Sequence, residues 1–252
     1  MTKTRKAKPR RRSPRPSVRA SSSAPHDKHF PGEGSAYRKA RNALLRSEIE
    51  LRRGIERVAA ARRKLPLGGS VPVDYVFEEG AADLADATTR RRARMSELFG
   101  DKDTLVAYSF MYGPAMAKAC PMCTSMLDGL NGQAPHVGQQ VSLVVIAKSP
   151  IERIRAFARE RGWTKLRLLS SAENTYNRDY FGEGPDGSQW PSLNVFVRKN
   201  SEIRHFYHTE LLFPPAEPGM NHRHVDMIWP LWNLLDFTPS GRGKDWFPKL
   251  SY

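Results

Sequence analysis

The pattern of hydrophobic and polar positions changes near residue 65. Between residues 35 and 64, apolar residues recur at helical spacing along one narrow stripe, and Arg and Glu fill the other faces. Glu48 and Arg52 are spaced for a helical ion pair, and the PLGGS segment at residues 66–70 ends the pattern. We therefore expect one long charged helix, of a type that packs on the outside of a domain or against a second copy of the chain.

Residues 103–237 instead alternate short apolar runs with helical segments. The predicted strands are residues 105–110, 141–147 and 166–169, with a β-hairpin of residues 193–197 and 203–207; the predicted helices are residues 120–130, 150–161 and 229–237. Strands joined by crossover helices predict a partly parallel α/β sheet, and the hairpin adds an antiparallel edge.

Two local signals refine this pattern. Ser149 stands as an N-cap before Pro150, with Glu152 placed for a capping box and Gly162 placed to end the helix. The Arg90–Arg94 cluster has no interleaved aromatic residues, so it indicates a solvated face rather than a nucleic-acid site.

The net charge of +15 is concentrated at one end of the chain. Residues 1–30 contain ten Lys or Arg and one acidic residue, Asp27, with almost no large apolar side chain. Such a segment buries too little surface to offset its ordering entropy, so we expect a disordered basic tail that can make weak contact with nucleic acid. The expected organisation is a tail at 1–30, a helix at 31–66 and a folded domain at 67–252.

Several classes of protein are excluded by what the sequence lacks. It has no apolar run of the roughly 18 to 20 residues needed to span a membrane and no apolar signal segment, so a cytoplasmic location without a membrane partner is predicted. Its cysteines are Cys120 and Cys123, too few for a disulfide-stapled secreted scaffold or a four-cysteine zinc site.

The CPMC motif at residues 120–123 carries the clearest chemical signal. It lies where a strand passes into a helix, and the free N–H groups of a helix N-terminus can lower a cysteine pKa from about 8.5 to roughly 3.5–7.5. Cys120 is therefore the predicted nucleophile. Cys123, one helical turn later, is placed to resolve a mixed disulfide at Cys120, and Pro121 and Met122 lie between them to contact substrate.

Two other interpretations of these cysteines stay open. They can be inert buried thiols, or they can bind a metal with histidine partners. The histidines available as further ligands are His136, His205, His208, His222 and His224, and none has the short spacing of a zinc finger. The sequence accordingly predicts neither a metal nor a cofactor.

Two further segments are candidates for substrate contact. Pro191, directly before the hairpin, resembles the cis-proline that faces the dithiol in thioredoxin folds, although a proline also commonly begins a strand. In the run NTYNRDYF at residues 174–181, Tyr176, Asn177 and Tyr180 offer aromatic surface and hydrogen-bond donors for one wall of a substrate groove; the alternative is a polar loop whose Tyr side chains cover a helix end.

Long motifs identify a family for residues 65–252. They include LPLGGSVPVDYVF, CPMCTSMLDGLNG, AKSPIERIRAFARERGW, LNVFVRKNSEIRHFY and WPLWNLLDFTP. The chain resembles a bacterial thioredoxin-like family of unknown function, domain-of-unknown-function family 899. This resemblance implies a thioredoxin-like α/β fold, with a mixed sheet flanked by helices, and a dithiol-disulfide role, but it supplies no substrate.

The chain departs from ordinary thioredoxins in ways that bear on mechanism. Ala119 replaces the Trp before the first cysteine, and Pro121 and Met122 replace Gly-Pro, which suggests a different redox potential. Residues 104–110 contain no Asp or Glu, so the buried carboxylate that takes a proton from the second cysteine in thioredoxins has no obvious counterpart.

Three hypotheses follow. The first is a thiol-disulfide oxidoreductase that acts on a disulfide-containing protein or small thiol substrate, with an electron donor that the sequence does not identify. The second is peroxide reduction through a sulfenic acid at Cys120 that Cys123 resolves. Related peroxidases place a Thr before the reactive Cys, whereas Thr124 follows it. The third is a non-enzymatic redox sensor or nucleic-acid-binding protein, and a homo-oligomer is compatible with all three.

Overall fold

The computed structural model describes residues 24–239 and 245–252, and the chain divides into two compact units between Lys64 and Leu65. Residues 1–23 of the predicted tail lie outside the described residues. The helices are α1 (Ser35–Arg63), α2 (Met95–Leu98), α3 (Pro121–Val137), α4 (Ile151–Arg161), α5 (Tyr176–Asp179) and α6 (Pro230–Leu235). The strands are β1 (Val76–Gly80), β2 (Arg90–Arg94), β3 (Thr104–Ser109), β4 (Ser142–Ala147), β5 (Arg167–Ser170), β6 (Ser192–Lys199) and β7 (Glu202–His208).

The first unit contains the long charged helix that the sequence predicts. Helix α1 has 29 residues and buries none of them, so the apolar stripe that includes Leu51 and Ile55 stays exposed. The predicted ion pair of Glu48 with Arg52 is wrong, because Glu48 bonds to Arg41, two turns earlier, at 3.0 Å. No helix in the described part of the chain combines the length and apolarity needed to cross a membrane.

The second unit is built on a seven-stranded sheet in the order β2-β1-β5-β4-β3-β6-β7. Strand β4 pairs in parallel with β3 and β5, and all other neighbours are antiparallel. The parallel centre contains the predicted strands joined by α3 and α4, and the predicted hairpin forms one edge as β6 and β7. The fold is therefore α/β and thioredoxin-like, with a mixed sheet flanked by helices.

Apolar side chains cover both faces of this sheet because successive side chains of a strand point to opposite faces. On β3, Leu105 and Ala107 belong to one core cluster, and Tyr108 belongs to the other, together with Phe110 just past the strand. The cluster that contains Tyr108 also contains both cysteines. The strand alternation thus decides which residues of β3 can reach the dithiol.

The start of helix α4 differs from the predicted cap. The helix begins at Ile151, and Pro150 holds the cap position with φ −53° and ψ 146°. Ser149, the predicted N-cap, is buried instead, and its carbonyl accepts a hydrogen bond from the Ser170 hydroxyl at 2.7 Å. The other end is as predicted, because Gly162 closes the helix with φ 69°, in the left-handed region that glycine tolerates.

The Arg90–Arg94 cluster is a strand, which the sequence pattern did not predict. It forms the edge strand β2, whose residues are exposed except for Ala93. Glu79 on β1 is buried and binds both Arg91 and Arg167, the latter at 2.8 Å. At the opposite edge, residues 68–71 cover β7, with the Gly68 N–H donating to the His205 carbonyl at 2.8 Å.

Candidate active site at the N-terminus of helix α3

Cys120 occupies the cap position at the start of α3. Its φ of −63° and ψ of 121° are extended, and Pro121 takes the first helical position, where a missing N–H costs nothing. The Cys120 N–H donates to the Met111 carbonyl at 3.1 Å. The Cys120 carbonyl accepts from the Thr124 N–H at 3.0 Å and from its hydroxyl at 2.8 Å. These bonds hold the backbone of Cys120 on both sides.

The two thiols are free and have different environments. The Cys123 N–H donates to Cys120 Sγ at 3.5 Å. Hydrogen bonds from the Cys123 side chain, and then from the N–H groups of Cys123 and Met122, lower the pKa of Cys120 to about 6. The same side-chain bond, together with burial, raises the pKa of Cys123. At neutral pH the arrangement is a thiolate at Cys120 beside a protonated Cys123.

Tyr108 reaches the dithiol from strand β3. Its hydroxyl donates to Cys123 Sγ at 3.3 Å, and its side chain is fully buried. Burial raises the pKa of Tyr108 well above its ordinary value, so the phenol stays protonated. The sequence reasoning missed this residue, although strand alternation places Tyr108 on the same face as Phe110.

Arg153 of α4 holds the loop that leads from β3 to Cys120. Its guanidinium donates to the carbonyls of Gly113 at 3.1 Å, Ala117 at 3.3 Å and Pro114 at 3.4 Å, and it also bonds to the carbonyl of Met116. This residue was also missed, because a single Arg on a helix carries no signal of the loop it will contact.

The predicted contact residues around the dithiol lie at different depths. Met122 is exposed beside Cys120, and Pro121 is half-buried. Pro191 directly precedes β6, and the peptide bond before it is trans, like every other described one. The cis interpretation of Pro191 is therefore wrong, and Pro191 is a proline that begins a strand.

An apolar groove of about 730 Å³ lies beside the loop that leads from β3 to Cys120, and Met111 of this loop is part of its lining. It is lined by residues from three segments of the chain: Met111, Phe181, Glu183, Gly184, Pro185, Gln189, Trp190, Pro191, Leu212 and Phe213. Phe213 packs against Phe181 at 5.5 Å and Trp190 at 6.1 Å between ring centroids. Met111 links the groove to the dithiol, because its carbonyl accepts the hydrogen bond from the Cys120 N–H.

The structure does not bring Tyr176 and Asn177 to this groove. Both side chains are fully buried, and Tyr176 belongs to the core cluster without the cysteines. The side-chain oxygen of Asn177 accepts a hydrogen bond from the Ser171 hydroxyl at 2.8 Å. The backbone carbonyl of Asn177 accepts from the N–H groups of Gly182 and Glu183. The two residues shape the loop, and Phe181 is the member of the predicted run that lines the groove.

The histidines considered for a metal site are also dispersed. His205 bonds to Asn194 at 3.1 Å, and His208 stacks on Phe213 at 5.2 Å. Within residues 24–239 and 245–252, no three His, Cys, Asp or Glu side chains are grouped so that they could hold a metal ion.

Comparison with protein families gives a match over nearly the whole chain. The family model of bacterial proteins of unknown function, DUF899, matches residues 27–252. The chain belongs to the DUF899 family. The match begins before the segment that carries the sequence motifs, so it includes helix α1. No curated protein matches the chain significantly.

Among solved structures, the chain is similar to several proteins at low identity. Peroxidoxin BcpB from Mycobacterium tuberculosis is 17% identical, with a TM-score of 0.42 over 66% of this chain and 95% of that protein. Enterococcus faecalis AhpC is 12% identical, with a TM-score of 0.42 over 72% and 98%. The lipoprotein thioredoxin Etrx1 from Streptococcus pneumoniae is 12% identical, with a TM-score of 0.38 over 62% and 99%.

Proposed function

We propose that this DUF899 protein is a thiol-disulfide oxidoreductase with Cys120 as the nucleophile and Cys123 as the resolving thiol. The observation that carries the proposal is the unequal pair of thiols at the start of α3. The pKa of Cys120 is lowered to about 6, whereas the pKa of the more deeply buried Cys123 is raised. The attacking species in thiol-disulfide exchange is the thiolate, so Cys120 is the thiol that reacts first.

The reaction proceeds in two displacements. The Cys120 thiolate attacks one sulfur of a substrate disulfide, and the other sulfur leaves as a thiolate that takes a proton from solvent. Cys123 then attacks Cys120 Sγ, its proton leaves with the second substrate thiol, and a Cys120–Cys123 disulfide forms. The substrate is reduced by two electrons, and a thiol donor must reduce the protein again for a further turnover.

The groove beside the dithiol supports a substrate with an apolar part. Exposed aromatic side chains, including those of Trp190 and Phe213, line this groove together with Met111 and Pro191. Met122 adds an exposed apolar side chain next to Cys120. We propose that a disulfide-containing protein or small disulfide places its apolar neighbours here, which also assigns Pro191 and Met122 to substrate binding.

Two single substitutions test the catalytic assignment. Cys120→Ser removes the nucleophile and should reduce disulfide-reductase activity to the buffer background. Cys123→Ser should still attack but accumulate a mixed disulfide at Cys120, detectable as an added mass on the intact protein that dithiothreitol removes. The roles are wrong if both variants keep full activity. They are also wrong if, in Cys120→Ser, Cys123 forms a mixed disulfide with the substrate as fast as the unmodified protein reacts with it.

A parallel assay with hydrogen peroxide separates disulfide reduction from peroxide reduction. The Thr124 hydroxyl donates to the Cys120 carbonyl at 2.8 Å rather than to the thiol. We therefore expect the disulfide substrate to be consumed faster at equal concentration. Faster turnover of peroxide, with sulfenic acid trapped at Cys120 in Cys123→Ser, would favour the peroxidase hypothesis instead.

A further inference from the structure

Cys123 has a polar neighbour that ordinary disulfide chemistry does not require. Tyr108 lies on β3, and its hydroxyl is 3.3 Å from Sγ of Cys123, in the first turn of α3. Strand β3 contains neither Asp nor Glu, so a carboxylate from this strand cannot serve Cys123. A phenol therefore lies against the sulfur that must become charged each time the internal disulfide breaks.

We propose that Tyr108 is a catalytic residue that donates a hydrogen bond to Cys123 Sγ while this sulfur carries negative charge. The inference rests on the proposed function. During reduction of the internal disulfide, a donor thiolate attacks Cys120 Sγ and forms a new S–S bond. The Cys120–Cys123 bond breaks, its electron pair moves to Cys123 Sγ, and the resulting thiolate accepts the bond from Tyr108 before solvent protonates it.

A phenol acts differently here from a carboxylate. The Tyr108 phenol stays protonated in its buried position, so it can stabilise a thiolate but cannot take up the Cys123 proton. Hydrogen bonds to charged groups contribute about 1.5–3 kcal/mol, and their worth increases where water is excluded. The stabilisation acts on Cys123 both as the leaving group during reduction and as the attacking group during resolution.

The substitution Tyr108→Phe tests this role, with Tyr75→Phe as the matched control. Tyr75 is also a buried tyrosine, but its hydroxyl donates to Asp179 at 2.8 Å and lies in the other core cluster. Each protein is oxidised to the Cys120–Cys123 disulfide, and the rate of its reduction by dithiothreitol is measured under single-turnover conditions. We expect Tyr108→Phe to slow reduction by about tenfold to a hundredfold and Tyr75→Phe to leave the rate within about twofold.

A second measurement separates a catalytic from a structural role. Alkylation of Cys120 in the reduced proteins should follow the same pH profile in both variants, because Tyr108 contacts Cys123. The role of Tyr108 is overturned if Tyr108→Phe leaves the reduction rate unchanged. It is also overturned if this substitution slows the alkylation of Cys120 by the same factor as it slows reduction. If oxidised glutathione forms no Cys120–Cys123 disulfide in the unmodified protein, the proposed function itself fails.

Discussion

Two loops of the sheet domain are held in the same way but lead to different places. Arg155 donates to the carbonyls of Ala81, Asp83 and Asp86 in the loop between β1 and β2, at 2.5–2.7 Å. Arg153 makes the corresponding bonds to the loop between β3 and α3. The first loop leads to an edge strand, and the second leads to Cys120.

A single helix, α4, supplies the arginine that holds each loop. Arg153 and Arg155 are two residues apart on α4, a spacing that points side chains to different sides of a helix. Arg155 is buried against Gly80, where a Cβ would lie 2.5 Å from the Arg side chain. Arg153 is only partly buried. We infer that the Arg155 loop contributes to stability alone, and that the Arg153 loop also sets the geometry of Cys120.

The largest expected effect is on the stability contributed by the Arg155 loop. Arg155→Met leaves three loop carbonyls without their charged donor, so the free energy of unfolding should fall by about 3 kcal/mol or more. Denaturant unfolding measures the loss. The alkylation rate of Cys120 should stay unchanged, and a slower rate in this variant would end the distinction between the two loops.

The matching substitution in the other loop should have a smaller effect on stability and an effect on reactivity. Arg153→Met should lower the free energy of unfolding by about 1–2 kcal/mol, because solvent can replace part of its bonding. It should also slow alkylation of Cys120 below neutral pH about threefold, because the cap geometry that stabilises the thiolate loosens. Identical alkylation in Arg153→Met and Arg155→Met would show that the loop does not position Cys120.

The pH dependence of Cys120 alkylation provides another test of the two loops. A lowered pKa means that the thiolate persists to lower pH, so the alkylation rate should be half-maximal near the pKa of about 6. Below this pH the rate should fall about tenfold for each unit. The profile of Arg155→Met should superimpose on that of the unmodified protein. A midpoint at the ordinary pKa of a cysteine would contradict the cap geometry.

The smallest effect on stability is expected at the C-terminal end of α4, the helix that carries both Arg153 and Arg155. Gly162 has φ 69°, a conformation in which an alanine is strained. Gly162→Ala should therefore reduce the free energy of unfolding by about 1 kcal/mol in a denaturant titration. Since neither arginine lies in the last turn, Cys120 alkylation should not change; a shift would mean that strain is transmitted along α4 to the loop.

The parallel centre of the sheet was predictable because its strands are continuous apolar runs separated by well-marked helices. Val144, Val145 and Ile146 are buried, as a strand covered on both faces requires. The edge strand β2 was not predictable from hydrophobicity, since four of its five residues are Arg. Its conformation depends on pairing with β1 and on the acidic partner Glu79, which no local pattern reveals.

The dithiol was recognisable from its spacing and position, but the groups that surround it were not. Tyr108 and Arg153 act on the site across 15 and 40 residues of sequence, in their bonds to Cys123 and Gly113. Tyr176 and Asn177 were expected at the surface because their stretch is polar. Tyr176 is buried because its ring packs against Tyr75 and Phe77, at 5.6 and 5.3 Å between ring centroids. Asn177 is buried with its side-chain oxygen accepting a hydrogen bond from the Ser171 hydroxyl.

The charged edge strand β2 has a consequence for self-association. An unprotected edge strand can pair with a strand of another molecule and so start aggregation. Here the side chains of Arg90, Arg91 and Arg92 are exposed along that edge, and each pairs with a carboxylate of the same chain, on Glu152, Glu79 and Glu173. A second strand that paired with this edge would have to remove water from these charged groups. The other edge is occupied by residues 68–71 of the same chain. Open-ended growth of the sheet is thus opposed on one side by charged side chains and on the other by the backbone of residues 68–71.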